Sequence, residues 1–417
     1  LFALGLAGGV AACAEGPDVS AAPEGEARVA VRPGIEVLLE DSLHLVAGKR
    51  VGLVTNHTGT LRRRTTAGEL YDASVIDLLF EHPDVELVAL FAPEHGIRGD
   101  VEAGAAIASD IDARTGVPIY SLYGATRSPT AEMLEGVDVL VFDMQDVGAR
   151  YYTYVSTMAL AMEAAGRAGI PFVVLDRPNP IRGDVLQGNV LDPAFASFVG
   201  MYPVPMRHGM TPGELARLYA GEFGLDADLA VVPADGWSRS QAFDQTGLSW
   251  IPPSPNMPSL ESALAYPGTC LFEGTNLSVG RGTERPFQWV GAPWLDAEGV
   301  AAELQTRGLA GVRFEATTFV PRSPGDGKYD GEVVSAVRLV AESTTYDAPR
   351  AAVEMLVEIH RRHPDAFRWL PTFDRLAGTD ALRLGISAGL DAAALTAEWP
   401  AQLAAFERLR APYLLYR

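Results

Sequence analysis

The residue best placed to do chemistry is Glu94, a carboxylate between a proline and a His-Gly pair directly after an apolar run, in Phe91-Ala92-Pro93-Glu94-His95-Gly96. A carboxyl group among apolar neighbours can have its pKa raised enough to donate a proton near neutrality. On spacing alone a loop or helix-capping role is the equal alternative. His95 could orient Glu94 or bind substrate, or act only as a structural hydrogen-bonding group. A second concentration of polar types lies between Phe272 and Glu284, where Glu273, Asn276, Arg281 and Glu284 alternate with glycines that let a backbone approach a ligand closely. Glycoside hydrolysis needs two carboxyl groups flanking the scissile bond, and Glu94 with Glu273, Glu284 or Asp146 could supply them.

Other chemistries find less support. The turn Thr55-Asn56-His57-Thr58-Gly59 has neither the dinucleotide-binding glycine fingerprint nor a phosphate-binding loop, and the chain has no G-x-S-x-G elbow. His57, His95, Asp143 and Asp146 are conceivable metal ligands, but no ligand spacing such as H-E-x-x-H accompanies them. His360 and His363 end a predicted helix and read as a solvated terminus.

The elements that would hold these residues alternate. Short apolar runs at Val51–Asn56, Val85–Phe91, Pro118–Leu122, Val137–Phe142 and Pro171–Asp176 have the pattern of strands buried on both faces. Helices are expected after Ser74 and from Thr153 to Ala168, the latter with Val155, Met158, Ala159, Met162 and Ala165 on one side. Such alternation implies an α/β fold with a Rossmann-like, doubly wound parallel sheet, which binds ligands at the carboxyl ends of its strands. Asn56 and His57, Glu94 and His95, Asp143, Gln145 and Asp146, and Asp176 and Arg177 all fall at such ends. The segment Gly183 to Gly268, rich in proline and aromatics, is expected to be ordered loops. Beyond it, helices at Asp296–Arg307 and Arg350–Arg362 with strands at Val312–Val320 and Val333–Ala341 suggest a second, smaller C-terminal α/β domain.

At 417 residues, two domains are a better expectation than one. The formal net charge of −20 argues against a nucleic-acid partner, and an anionic substrate would need a local arginine cluster. The two cysteines, Cys13 and Cys270, sit in contexts too different to suggest a structural disulfide. Cys270 reads as a small buried hydrophobe. Val10-Ala11-Ala12-Cys13 resembles a lipobox, the small-residue site cut before a lipidated cysteine. Residues 1–13 are therefore expected to be signal peptide and lipobox, 14–32 a flexible tether, 33–250 the Rossmann-like domain and 251–417 the C-terminal domain. That arrangement places the protein in the cell envelope, touching membrane only through a lipid anchor at Cys13.

Six segments together resemble the bacterial peptidoglycan exo-β-N-acetylmuramidases over nearly the whole chain. They are Val54–Gly59, Phe91–Gly99, Phe142–Tyr154, Leu175–Pro180, Pro253–Pro258 and Glu273–Thr283. The resemblance implies a cleft between two domains, no cofactor, and release of terminal N-acetylmuramic acid from the non-reducing end of a muropeptide or disaccharide, with Glu94 in the place of the catalytic glutamate. On that footing Glu94 is expected as general acid, with Glu273 first and Asp146 next as the second carboxylate. Asn56, His95, Arg98, Gln145, Arg150, Tyr152, Arg177, Asn179, Asn256, Asn276, Arg281 and Glu284 are the expected substrate-binding residues. The lactyl carboxylate of muramic acid suits a planar arginine fork, for which Arg281, Arg98, Arg150 and Arg177 are candidates. Tyr151, Tyr152 and Tyr154 could stack on sugar or pack the next helix. A non-catalytic sugar-binding lipoprotein and a metal-dependent hydrolase of another substrate are the competing readings.

Overall fold

The computed structural model describes residues 30–94, 96–97, 110–124 and 126–417. Cys13, most of the expected tether, His95 and Arg98 lie outside them. Fourteen strands are named among the described residues. They run β1 (Arg50–Thr55), β2 (Thr60–Arg64), β3 (Leu70–Ser74), β4 (Glu86–Ala92), β5 (Asp110–Ile111), β6 (Pro118–Ser121), β7 (Val139–Asp143), β8 (Phe172–Leu175), β9 (Gln187–Val190), β10 (Pro205–Arg207), β11 (Leu229–Val232), β12 (Trp289–Ala292), β13 (Val312–Phe319) and β14 (Val334–Ala341).

Seven of them form the main sheet, in the order β11-β8-β7-β1-β4-β6-β5, parallel except for β5 against β6. Successive residues of a strand point to opposite faces, so a sheet covered on both sides needs apolar residues at every position. In β7 and β8, Val139, Val141, Val173 and Leu175 enter one core, with helices α1 (Gly34–Asp41) and α2 (Val75–Phe80) over it. Leu140, Phe142, Phe172 and Val174 enter the other, under α3 (Tyr154–Ala168) and α4 (Pro212–Glu222). Val155, Met158, Ala159, Met162 and Ala165 of α3 are all buried, and Gly169 in the left-handed region (φ 68°) ends the helix. The chain winds from β1 outward through β4 to β6, then crosses back to β7 and continues through β8 to β11. Connections therefore diverge around β1, where a ligand crevice opens at the carboxyl edge of such a sheet.

The segment 183–268 is more regular than expected. It holds the antiparallel pair β9/β10, helix α4, the edge strand β11 and most of α5 (Leu260–Thr269). Helix α4 begins with a reciprocal capping box between Thr211 and Glu214, with Pro212 in its first turn. This start is masked in the sequence by the surrounding Met, Thr, Pro and Gly, and β11 is only four residues long.

The C-terminal part is a three-stranded antiparallel sheet, β12-β14-β13, packed with α6 (Ala297–Thr306) and α7 (Ala348–Arg362). Its core is continuous with that under α3 and α4, so Met158, Leu271, Phe287 and Met355 belong to one apolar cluster. The short helix α8 (Phe373–Ala377) follows and faces the carboxyl edge of the main sheet across a cleft.

Candidate active site

The cleft has a volume of about 620 Å³ and takes its walls from both parts of the chain. Strand β4 ends at Ala92, and Pro93 turns the backbone so that Glu94 enters the cleft two residues later. Thr153 Oγ1, at the N-cap of α3, donates to Glu94 Oε2 at 2.8 Å. Tyr123, two residues past β6, also hydrogen-bonds to Glu94, and its phenol is pushed up to about 12 by burial and then by the Glu94 charge. A phenol that stays protonated donates to a carboxylate and fixes its orientation.

The floor is aromatic. Tyr152 meets Tyr154 edge-on at 4.8 Å and Tyr266 at 5.8 Å between ring centroids. Burial drives the Tyr152 and Tyr154 phenols far above their ordinary range, with the Glu94 charge adding to the effect. Tyr154 donates to the Pro253 carbonyl at 2.5 Å and Tyr151 to that of Pro267, which ties the floor to the 251–258 loop and to α5. Tyr151 and Tyr154 thus pack the start of α3, while all three rings border the cleft.

Glu273 and Arg281 also line the cleft, and they hold each other. Arg281 Nε and Nη2 lie 2.6 and 2.5 Å from Glu273 Oε1. Cys270 Sγ lies 3.5 Å from the other oxygen, Oε2. Burial and the negative charge of Glu273 push the Cys270 thiol well up, so it stays protonated. The Glu273 charge and its hydrogen bonds hold the Arg281 guanidinium above its ordinary range despite burial. The pair is a compact, charge-assisted unit in which the Arg281 charge is already matched.

Most of the polar residues at the other strand ends turn inward. Arg177 makes a two-pronged, fully buried pair with Asp143 (2.5 and 3.1 Å) and donates to the Thr60 carbonyl. Gln145 donates to the carbonyls of Asp146 and Pro178, and Asn56 Oδ1 accepts from Thr58. Asp146, 3% exposed, lies behind Tyr152 and Tyr154 and accepts from Gly148 N at 2.7 Å. Gly148 has φ 82°, and a Cβ there would meet Asn179 Oδ1 at 2.5 Å; Asn179 itself braces Ile181 and Met210. Arg150 is buried among four backbone carbonyls.

Asn276 joins its loop to Ala366 and Arg368, Glu284 is exposed beside Arg285, and Asn256 is half-buried off the cleft wall. Of the described residues singled out in sequence, the cleft gathers Glu94, Tyr151, Tyr152, Tyr154, Cys270, Glu273 and Arg281. It adds others that the sequence did not mark: Tyr123, Arg127, Thr153, Phe198, Tyr266 and Arg375. Tyr123 could have been found, since it follows a parallel strand as Glu94 does. The two arginines come from segments with no pattern to flag them.

Two family models match the chain: "Exo-beta-N-acetylmuramidase NamZ, N-terminal" over residues 51–261 and the corresponding C-terminal model over 264–416. The chain is 45% identical over 404 residues to the peptidoglycan β-N-acetylmuramidase NamZ of Bacillus subtilis, covering 95% of each. Two crystal structures of DUF1343 family proteins from Bacteroides fragilis are similar to it. One is 38% identical with a TM-score of 0.84, covering 94% of this chain and 100% of that one. The other is 32% identical with a TM-score of 0.71, covering 93% and 99%.

Proposed function

The chain belongs to the exo-β-N-acetylmuramidase NamZ family, and on that premise we propose that its cleft removes terminal N-acetylmuramic acid with Glu94 as general acid. The protein is an exo-acting glycoside hydrolase, and its substrate is derived from peptidoglycan. The observation that carries the role of Glu94 is its place at the carboxyl end of β4, inside the cleft and held by Thr153. In its acid form Glu94 gives its proton to the glycosidic oxygen as the bond to the anomeric carbon breaks, while the Tyr152 and Tyr266 rings border the sugar. Glu273, oriented by Arg281, accepts the proton of the attacking water. Asp146 lies behind the floor, which favours Glu273 for this part.

Replacing Glu94 by Gln preserves its shape and removes the proton. Release of muramic acid from a disaccharide, followed by mass spectrometry, is expected to fall by about 10²–10⁴ with the circular dichroism spectrum unchanged. Near-normal release would remove Glu94 from the mechanism.

The Val10-Ala11-Ala12-Cys13 segment supports export and a lipid anchor. The mature protein is expected to partition into the detergent phase, and Cys13→Ser to move it to the aqueous phase. Aqueous wild-type protein would exclude the anchor.

A further inference from the structure

N-acetylmuramic acid differs from its neutral N-acetylglucosamine counterpart by one lactyl ether that ends in a carboxylate. Selecting the former requires positive charge that no protein carboxylate has already matched, and the formal net charge of −20 makes a local source necessary. Among the arginines picked out by sequence, Arg177 is matched by Asp143, Arg281 by Glu273, and Arg150 is enclosed by carbonyls. Arg98 lies outside the described residues.

Two further arginines reach the cleft. Arg127 follows Tyr123 on the main-sheet side, and its guanidinium carbon stands 4.5 Å above the Phe198 ring, which limits its freedom. Its charge acts on the Tyr123 phenol, the same group that hydrogen-bonds to Glu94, so it lies on the side of the acid. Arg375 enters from α8, on the C-terminal side. Neither makes an ion pair with any described carboxylate, and both stay exposed at the cleft.

We propose, resting on the muramidase reading, that Arg127 and Arg375 bind the lactyl carboxylate from the two sides of the cleft and are the residues that select muramic acid. An arginine fork held over an aromatic ring loses little freedom on binding a carboxylate, and the ion pair forms in a partly dehydrated cleft. Because the two come from different parts of the chain, the same contact draws the cleft walls onto the sugar.

The test is an NMR titration of N-acetylmuramic acid and its neutral lactyl methyl ester into wild type, Arg127→Gln, Arg375→Gln and the double variant. Wild type is expected to prefer the acid by about ten- to hundredfold, as for a charge-assisted contact. Each single variant is expected to lose part of that preference and the double variant nearly all, with affinity for the ester unchanged. If the double variant keeps the wild-type preference, or loses acid and ester equally, the assignment is overturned. Digestion of a disaccharide by wild type runs in parallel. Absence of released muramic acid would overturn the muramidase reading itself, whereas release with an unchanged preference would overturn only the arginine assignment.

Discussion

Behind the tyrosine floor, Asp146 and His208 face each other with 3.8 Å between Oδ2 and Nε2, both fully buried. Met210 N donates to His208 Nδ1 at 3.2 Å, so the neutral imidazole carries its proton on Nε2, toward the carboxyl group. Burial pushes Asp146 up to about 7 and His208 down to about 3. A carboxyl group whose pKa is raised on folding contributes stability that is complete below its unfolded value near 4 and is lost as pH rises through about 7. His208 acts oppositely, since its depressed pKa favours folding above about 6.5 and withdraws that contribution as pH falls toward about 3. Asp146→Asn keeps an oxygen for Gly148 N and removes only the carboxyl titration. Its melting temperature relative to wild type is therefore expected to climb from about pH 4.5, most steeply at about pH 5–6, between the unfolded and folded pKa values, and to level off above about 7. A constant difference across that range would mean that Asp146 is ionised throughout.

At the scale of the elements, burial decided what could be anticipated. Strands β1, β4, β7 and β8 are covered on both faces, and such strands write unbroken apolar runs into the sequence. Helix α3 writes its period equally plainly, because one side packs on the sheet. Strand β11 lies at the sheet edge with three of its four residues only partly buried, and so leaves a weaker trace. The carboxyl-end rule located Glu94, but it could not separate residues that face the cleft from those that face the interior. Asp143 and Glu94 both follow apolar strands. The packing of Arg177 against Asp143 turns one inward, and among the described residues Thr153 and Tyr123 hold the other in the cleft. Arg150 and Arg281 illustrate the same limit for cations, since the partner that neutralises or encloses an arginine is a tertiary fact. Arg127 and Arg375 owe their place to the approach of a loop and a short helix from distant parts of the chain.

At the scale of the whole molecule, the two walls of the cleft are joined through Arg150. Its Nη1 donates to the carbonyls of Asn189 and Val204 at 2.9 and 3.1 Å, and its Nη2 to those of Leu376 and Ala377 at 3.1 and 2.8 Å. Burial lowers its pKa to about 10, so it remains charged at neutrality. This one side chain spans from the start of the tyrosine floor to α8, which carries Arg375. Because the apolar core is also continuous across both parts, loosening this joint should destabilise the molecule as a unit. Arg150→Met fills much of the space but removes four hydrogen bonds to buried carbonyls, a loss on the order of 3 kcal/mol. Of these carbonyls, those of Val204 and Ala377 keep another described donor, Leu191 N and Asn189 Nδ2. In urea, the variant is expected to unfold in one transition at a lower midpoint. At temperatures where it is still folded, it should hydrolyse the disaccharide with a raised KM, because α8 no longer holds its distance from the floor. Separate transitions for the two parts would show that the continuous core does not make them cooperative. An unchanged KM would show that the width of the cleft does not depend on Arg150.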